Sequence, residues 1–155
     1  NDGSHEMKKW TESYPGTVDL TSYLATKDFD FGHPGVRKKV YKVRISYKGG
    51  ANFTSVHYGI NGELNIGGAF GAGGAGDLKQ FINPATGSAD DTPLDDKNDS
   101  DELESWHHIE LKPAVSSEAN NIYSFRLVFG ASGDSWYGDQ EINDITIIYR
   151  LKNIN

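Results

Sequence analysis

Short runs of alternating apolar and polar residues recur along the chain and predict β-strands. Alternation with a period of two places every second side chain on the same face of a strand. Glycine, asparagine and proline separate most of these runs, and these residues favour turns. The runs that predict strands are 24–31, 38–47, 54–60, 106–111, 122–129 and 141–151.

Within three of these runs the spacing also predicts which side chains share a face. In 38–47 the apolar face comprises Tyr41, Val43, Ile45 and Tyr47, and the polar face comprises Lys42, Arg44 and Ser46. In the two later runs the inward faces are Tyr123, Phe125, Leu127 and Phe129, and then Ile145, Ile147 and Tyr149. A strand with one apolar and one polar face is typical of an antiparallel sheet that is solvated on one side.

Turn chemistry links two of the elements. Asn61-Gly62 follows the run at 54–60, and both residues tolerate the positive φ angles of a type I′ turn. The sequence therefore predicts a hairpin in which residues 63–66 return antiparallel to that strand. Helix signals are limited to brief turns at 77–81 and 102–106.

Residues 67–105 interrupt the alternating pattern. Six glycines occur between positions 67 and 76, and eight carboxylates with one lysine occur between positions 90 and 104. This composition predicts a long glycine-rich and acidic loop, with a short element at 78–83 inside it.

The elements together predict an all-β fold. No alternation of strands and helices is visible, so a parallel sheet is not expected. The expected architecture is an antiparallel, two-sheet β-sandwich of the jelly-roll type, formed as one domain by residues 1–155. Residues 1–15 are expected to form an extended N-terminal arm, and the chain is expected to be a segment of a longer polypeptide.

The net charge argues against two classes of partner, and the absence of cysteine excludes several kinds of chemistry. The 155-residue chain has a formal net charge of −7 and a sequence pI near 5.1. An acidic surface repels phosphate backbones and anionic lipids, so neither nucleic acid nor membrane is an expected partner. The chain has no cysteine, which excludes disulfides, thiolate metal sites and cysteine catalysis.

Neither a metal nor a cofactor is predicted from the residue spacing. The glycine run lacks the Gly-Lys-Ser/Thr sequence of a phosphate-binding loop. Residues 96–100 offer oxygen atoms at alternating positions, as calcium loops do, but Asp101 stands where such a loop needs glycine. His107 and His108 are adjacent on a predicted strand, so they face opposite sides and cannot jointly bind one metal ion there.

Catalytic patterns are equally absent from the sequence. Asp28 and Asp30 alternate with phenylalanines, which indicates the polar face of a strand rather than a glycosidase pair. No Gly-x-Ser-x-Gly sequence marks a serine nucleophile. We therefore predict a protein that is not an enzyme, with a polysaccharide depolymerase as the least favoured alternative.

Two aromatic residues offer a candidate carbohydrate contact. Trp136 and Tyr137 occur in a glycine-flanked segment, where an exposed ring could stack on a sugar. The alternative interpretation is that these rings fold back over the core. A carbohydrate-binding or receptor-recognition module is therefore the second functional hypothesis.

Two stretches resemble a recurring module of tailed-bacteriophage structural proteins. The first comprises residues 26–34 and continues through 37–48; the second is Glu141-Ile142-Asn143-Asp144-Ile145-Thr146-Ile147-Ile148-Tyr149-Arg150. The resemblance implies a β-sandwich virion component of the tail, neck or capsid surface, made in the host cytoplasm. It also implies contacts with other virion proteins in a homo-oligomeric assembly, and it assigns no active-site residues.

The stretch at 37–48 concentrates positive charge in an otherwise acidic chain. Its candidate partner-contact cations are Arg37, Lys39, Lys42 and Arg44. One interpretation is a solvated face that protects a sheet from aggregation. The other is a contact with an acidic neighbouring subunit, for which the candidate residues are Asp95, Asp96 and Asp99.

Overall fold

Nine antiparallel β-strands make up the regular structure of the part of the chain that the structure describes. The computed structural model describes residues 23–48, 55–63, 78–90, 105–130 and 141–152, none of which lies in a helix. The strands are β1 (Tyr23–Ala25), β2 (Lys38–Lys48), β3 (Ser55–Ile60), β4 (Lys79–Ile82), β5 (Ala89–Asp90), β6 (His107–Pro113), β7 (Asn120–Ile122), β8 (Phe125–Gly130) and β9 (Glu141–Leu151).

The strands are hydrogen-bonded into one curled antiparallel sheet. Its path runs β1-β8-β3-β4-β6-β2, and β9 pairs with the opposite side of β2. β7 lies beside the beginning of β2, on the same side as β6, and β5 pairs with β4. β1 and β9 therefore form the two edges of the sheet among the described strands.

One short strand joins the two halves of the sheet. In β4, Lys79 and Gln80 pair with β3, whereas Phe81 and Ile82 pair with β6. This strand lies in the segment predicted as a long loop, close to the short element expected at 78–83. The helical turn predicted at 77–81 is wrong, because residues 79–81 lie in β4. Positions 67–77 and 91–104 lie outside the described residues.

The curled sheet encloses one main hydrophobic core. Rings of one half meet the joining strand there: Tyr58 of β3 lies 4.9 Å from Phe81 of β4 and 5.3 Å from Phe125 of β8 between ring centroids. The buried members of this cluster are Val40, Val43, Ile45, Tyr47, Val56, Tyr58, Phe81, Leu111, Ala119, Ile122, Phe125, Leu127 and Phe129. Burial of this apolar surface is the main favourable term for the fold.

A β-bulge changes the predicted face of Tyr41. Val40 pairs with Tyr149 and Lys42 pairs with Ile148, so Tyr41 is an extra residue without a partner in β9. The alternation therefore restarts after position 41, because a bulge shifts the phase of a strand by one residue. Val43, Ile45 and Tyr47 are buried as predicted, but Tyr41 is 40% exposed and its assignment to the core was wrong.

The run at 122–129 is divided between two strands. β7 ends at Ile122 and β8 begins at Phe125, so Tyr123 lies in the connection and is 43% exposed. The prediction that Tyr123 faces the core was wrong. The cause is a change of partner, because β7 pairs with β2 whereas β8 pairs with β3 and β1.

The run at 24–31 is likewise shorter as a strand than predicted. β1 ends at Ala25, and beyond it only Phe29 forms an isolated bridge, to Phe125. Asp30 turns the chain by accepting a hydrogen bond from the Gly32 N–H at 2.9 Å, a side-chain turn typical of aspartate.

The predicted turn at Asn61-Gly62 is confirmed. Their φ angles are 53° and 88°, and the Glu63 N–H donates to the Ile60 carbonyl at 2.9 Å. These values fit a type I′ turn. Glu63 is described, but the rest of the predicted return strand at 64–66 lies outside the described residues.

Candidate functional site

Four cations from two distant parts of the chain share one end of the outer sheet face. Lys39 of β2 pairs directly with Arg150 of β9, and the Lys152 N–H donates to the Arg37 carbonyl at 2.8 Å. Directly opposed residues in an antiparallel pair point to the same side of the sheet. Lys38 and Val40 point into the core, so Arg37, Lys39, Arg150 and Lys152 lie on the outer side. We call these four residues the basic face.

The basic face contains one like-charge pair across the β2–β9 ladder, Lys39 opposite Arg150. Like charges directly opposite each other destabilise a sheet by about 0.2–1 kcal/mol per pair. Within the described part of the chain, no carboxylate forms an ion pair with any of the four cations. Lys152 Nζ instead donates to the Asn121 side-chain oxygen at 2.6 Å. Among the described residues, the basic face is therefore a positive surface without an acidic partner, on a chain whose net charge is negative.

Exposed tyrosine rings border the basic face. The Arg37 guanidinium lies 5.8 Å from the centre of the Tyr123 ring, and its Nε donates to the Tyr123 hydroxyl at 3.1 Å. This hydrogen bond raises the pKa of Arg37 above its ordinary value, so the guanidinium stays charged. Lys39 Nζ lies 5.2 Å from the centre of the Tyr41 ring. Cation–ring contacts of this kind fix the two charges while leaving them accessible.

The other two predicted contact cations are engaged within the molecule. Glu110 of β6 accepts from Lys42 Nζ at 2.8 Å and from Arg44 Nε at 3.1 Å. The hydrogen bonds from Lys42 and Arg44 lower the pKa of Glu110 below its ordinary value. The four predicted contact cations therefore fall into two pairs. Arg37 and Lys39 lack an acidic partner in the described residues, whereas Lys42 and Arg44 share Glu110.

A shallow depression of about 410 Å³ lies farther along the same outer face. Ser46 lies in register between His108 on one neighbouring strand and Asp144 on the other. A serine triad requires histidine between serine and the carboxylate, and here serine occupies the middle position. The arrangement is therefore a cross-strand polar row rather than a triad.

Asp28 is engaged in an ion pair rather than in a carboxylate pair. Its two carboxylate oxygens accept from Nε and Nη2 of Arg126, with the Nε contact at 3.1 Å. The bidentate geometry ties the chain before Phe29 to β8. Asp30 forms the turn described above, so the two acids have separate structural contacts.

Several predicted site residues lie outside the described residues. These are the acidic candidates Asp95, Asp96 and Asp99, the aromatic candidates Trp136 and Tyr137, and the oxygen-rich stretch at 96–100. Among the residues that the structure does describe, no group of three or more potential ligands is placed to hold a metal ion. The described part of the chain also holds no helix long and apolar enough to cross a bilayer.

Half of the basic face was not predicted from the sequence. Arg150 and Lys152 were not among the predicted contact residues, because nothing in the local sequence indicates that β9 lies beside β2. The available signal was the run of charge at the end of the last strand, but its neighbours depend on long-range pairing. Lys38 belongs to the predicted concentration of positive charge, but its side chain is fully buried, and its Nζ donates to the carbonyls of His33 and Tyr123.

No protein-family model, curated protein or solved structure matches this chain.

Proposed function

We propose that this chain is a non-enzymatic structural component of a tailed-phage virion that acts through subunit–subunit contacts. The observation that carries this proposal is the basic face, which has no acidic partner among the described residues. Its like-charge pair of Lys39 and Arg150 costs stability in the isolated subunit, and an acidic neighbour would convert that repulsion into attraction. Other virion proteins and further copies of this chain are the partners that we propose.

The chain itself contains a suitable acidic counterpart. Eight carboxylates and one lysine lie between positions 90 and 104, and they include Asp95, Asp96 and Asp99. In a symmetric assembly each subunit can offer this segment to the basic face of the next one. The proposed contact would then involve Arg37, Lys39, Arg150 and Lys152, with Lys42 and Arg44 contributing less because both already pair with Glu110.

The resemblance to phage structural modules supports the proposed setting. Its two stretches are far apart in the sequence, but they include most of β2 and β9, which pair along their full length. The basic face is built from these same strands. We therefore propose that the protein is made in the host cytoplasm and resides in the virion, where it should be found by mass spectrometry of purified particles.

A labelled peptide with the sequence of residues 90–104 tests the contact with the intact chain. We expect binding by fluorescence anisotropy at low salt, with affinity falling as salt rises because the contact is electrostatic. Lys39→Glu should weaken binding by about tenfold, which corresponds to about 1.4 kcal/mol. Lys27→Glu, the same change at an exposed lysine outside the basic face, should leave affinity unchanged. Equal affinity for both variants would contradict the proposed contact.

We also propose that the curled sheet closes as a two-sheet, jelly-roll-like sandwich. Support comes from the core, where Tyr58 of one half packs against Phe81 at the junction with the other half. An experimental structure of the whole chain would test this, and an open sheet with a solvated inner face would contradict it.

Carbohydrate binding is the second proposed function. Within the described residues, Trp106 is 45% exposed, which favours an aromatic contact with a sugar ring. Trp136 and Tyr137 remain the candidates from the sequence. Glycan-array screening of the wild type, Trp106→Ala and Trp136→Ala tests this role, and an absence of signal from the wild type would remove it.

A further inference from the structure

The long strand β9 leaves one edge of the sheet without a partner among the described strands. All of its ladder pairs are with β2, from Glu141 to Leu151. Two bulges interrupt these pairs. One is the extra residue Asn143 in β9, and the other is Tyr41, which lies in β2. From Asp144 onwards every residue of β9 therefore pairs in sequence with β2. Every second residue on this regular stretch therefore directs its backbone N–H and C=O groups away from the sheet.

The centre of this edge has the composition of a pairing surface. Residues 145–149 read Ile-Thr-Ile-Ile-Tyr, five consecutive uncharged residues of high β-propensity. Protected edges usually carry proline, lysine or a bulge at their centre, and this stretch has none of these. The only charges next to it are Asp144 at one end and Arg150 at the other.

We propose that β9 pairs antiparallel with β9 of a second copy of this chain, about a two-fold axis at Ile147. This inference rests on the proposed function and names the partner and the geometry of one subunit contact. The two sheets would become one continuous sheet across the new ladder, a mode of association that uses backbone hydrogen bonds at an open edge.

Charge complementarity fixes the direction and register. Pairing centred on Ile147 places Asp144 of each copy opposite Arg150 of the other, with Thr146 opposite Ile148. Asp144, Thr146, Ile148 and Arg150 share the outer side by alternation from position 144, so each opposed pair lies on a common face. A parallel arrangement would place Asp144 opposite Asp144 and Arg150 opposite Arg150.

The same register also gives Arg150 an acidic partner that it lacks among the described residues of the isolated subunit. Arg150 lies opposite Lys39 and makes no ion pair within the described residues. The carboxylate of Asp144 is held beside its own strand by the Thr146 hydroxyl, which donates to it at 3.0 Å. In the paired form, each Arg150 therefore gains a positioned carboxylate from the second copy.

Charge reversal with rescue tests this pairing in the intact chain. Sedimentation equilibrium of the wild type should show dimers. Asp144→Arg and Arg150→Asp should each weaken dimerisation by about tenfold or more, because each creates two like-charge contacts across the axis. The double variant Asp144→Arg/Arg150→Asp should restore it, and Lys27→Glu should not change it. Circular dichroism should show that each variant keeps its fold.

Hydrogen exchange locates the contact directly. Protection of backbone amides in residues 144–150 should increase with protein concentration in the wild type and in the double variant, but not in the single variants. A monomer at high concentration, or a dimer that charge reversal leaves unchanged, would overturn the inference. In the second case, weakened peptide binding by Lys39→Glu would still support the proposed function, so the two failures are distinguishable.

Discussion

At the scale of single residues, the turn at 59–63 depends on two positions. Asn61 adopts a positive φ, and its side-chain oxygen also accepts a hydrogen bond from the Tyr123 N–H at 2.7 Å. Gly59 lies so close to the returning chain that an added Cβ would be 2.3 Å from the Glu63 carbonyl oxygen. Asn61 therefore serves both the hairpin turn and the connection between β7 and β8.

Gly59→Ala should destabilise the fold by about 1–3 kcal/mol, because the new methyl group forces the backbone at Glu63 to move. Gly35→Ala is a matched control, since a Cβ there meets nothing within 4 Å and the residue does not have a positive φ. Urea denaturation measures both effects. Equal stability of the two variants would show that the hairpin tolerates the displacement.

At the scale of elements, the buried lysine at the start of β2 connects three segments. Lys38 donates to the His33 carbonyl in the preceding turn and to the Tyr123 carbonyl, at 2.8 Å, between β7 and β8. Burial lowers the pKa of Lys38 below its ordinary value of 10.5, although nearby Asp30 opposes the shift. The charged form is thus less favoured in the folded protein than in the unfolded chain.

Lys38→Met should lower stability near neutral pH by about 1–3 kcal/mol, because the two carbonyls lose their donor. The stability difference should grow as pH rises from the lowered pKa towards 10.5. In that window the unfolded wild type binds more protons than the folded protein, so the wild type gains stability with rising pH. Denaturation of both proteins between pH 7 and pH 10.5 measures this, and parallel pH curves would refute the effect.

At the scale of the whole molecule, one part of the surface has a local charge opposite in sign to the net charge of the chain. The chain carries −7 overall, yet its outer sheet face gathers four cations at one end. Lys42 and Arg44, farther along β2, both form ion pairs with Glu110. β2 therefore carries Lys42 and Arg44, which stabilise the subunit through Glu110, and also Lys39, which repels Arg150 across the ladder.

Arg150→Gln should stabilise the isolated subunit by a few tenths of a kcal/mol, because it removes the repulsion from Lys39. Lys42→Gln should have the opposite sign, since it removes an ion pair worth up to about 1 kcal/mol. Both are measured by urea denaturation at low protein concentration. The two effects should shrink in 1 M NaCl, and a destabilising Arg150→Gln would contradict the like-charge interpretation.

The sequence alone determined the strands that have strong alternation and the turn that has a specific chemistry. The bounds 141–151 of the last strand and the Asn61-Gly62 turn were predicted correctly, because periodicity and turn preference are local properties. Val43 and Ile45 were assigned to the core for the same reason. The tertiary structure alone decided which strands are neighbours and where bulges shift the pattern. Tyr41 and Lys38 were misplaced, and Arg150 and Lys152 were missed, because register depends on hydrogen bonds between residues far apart in the chain.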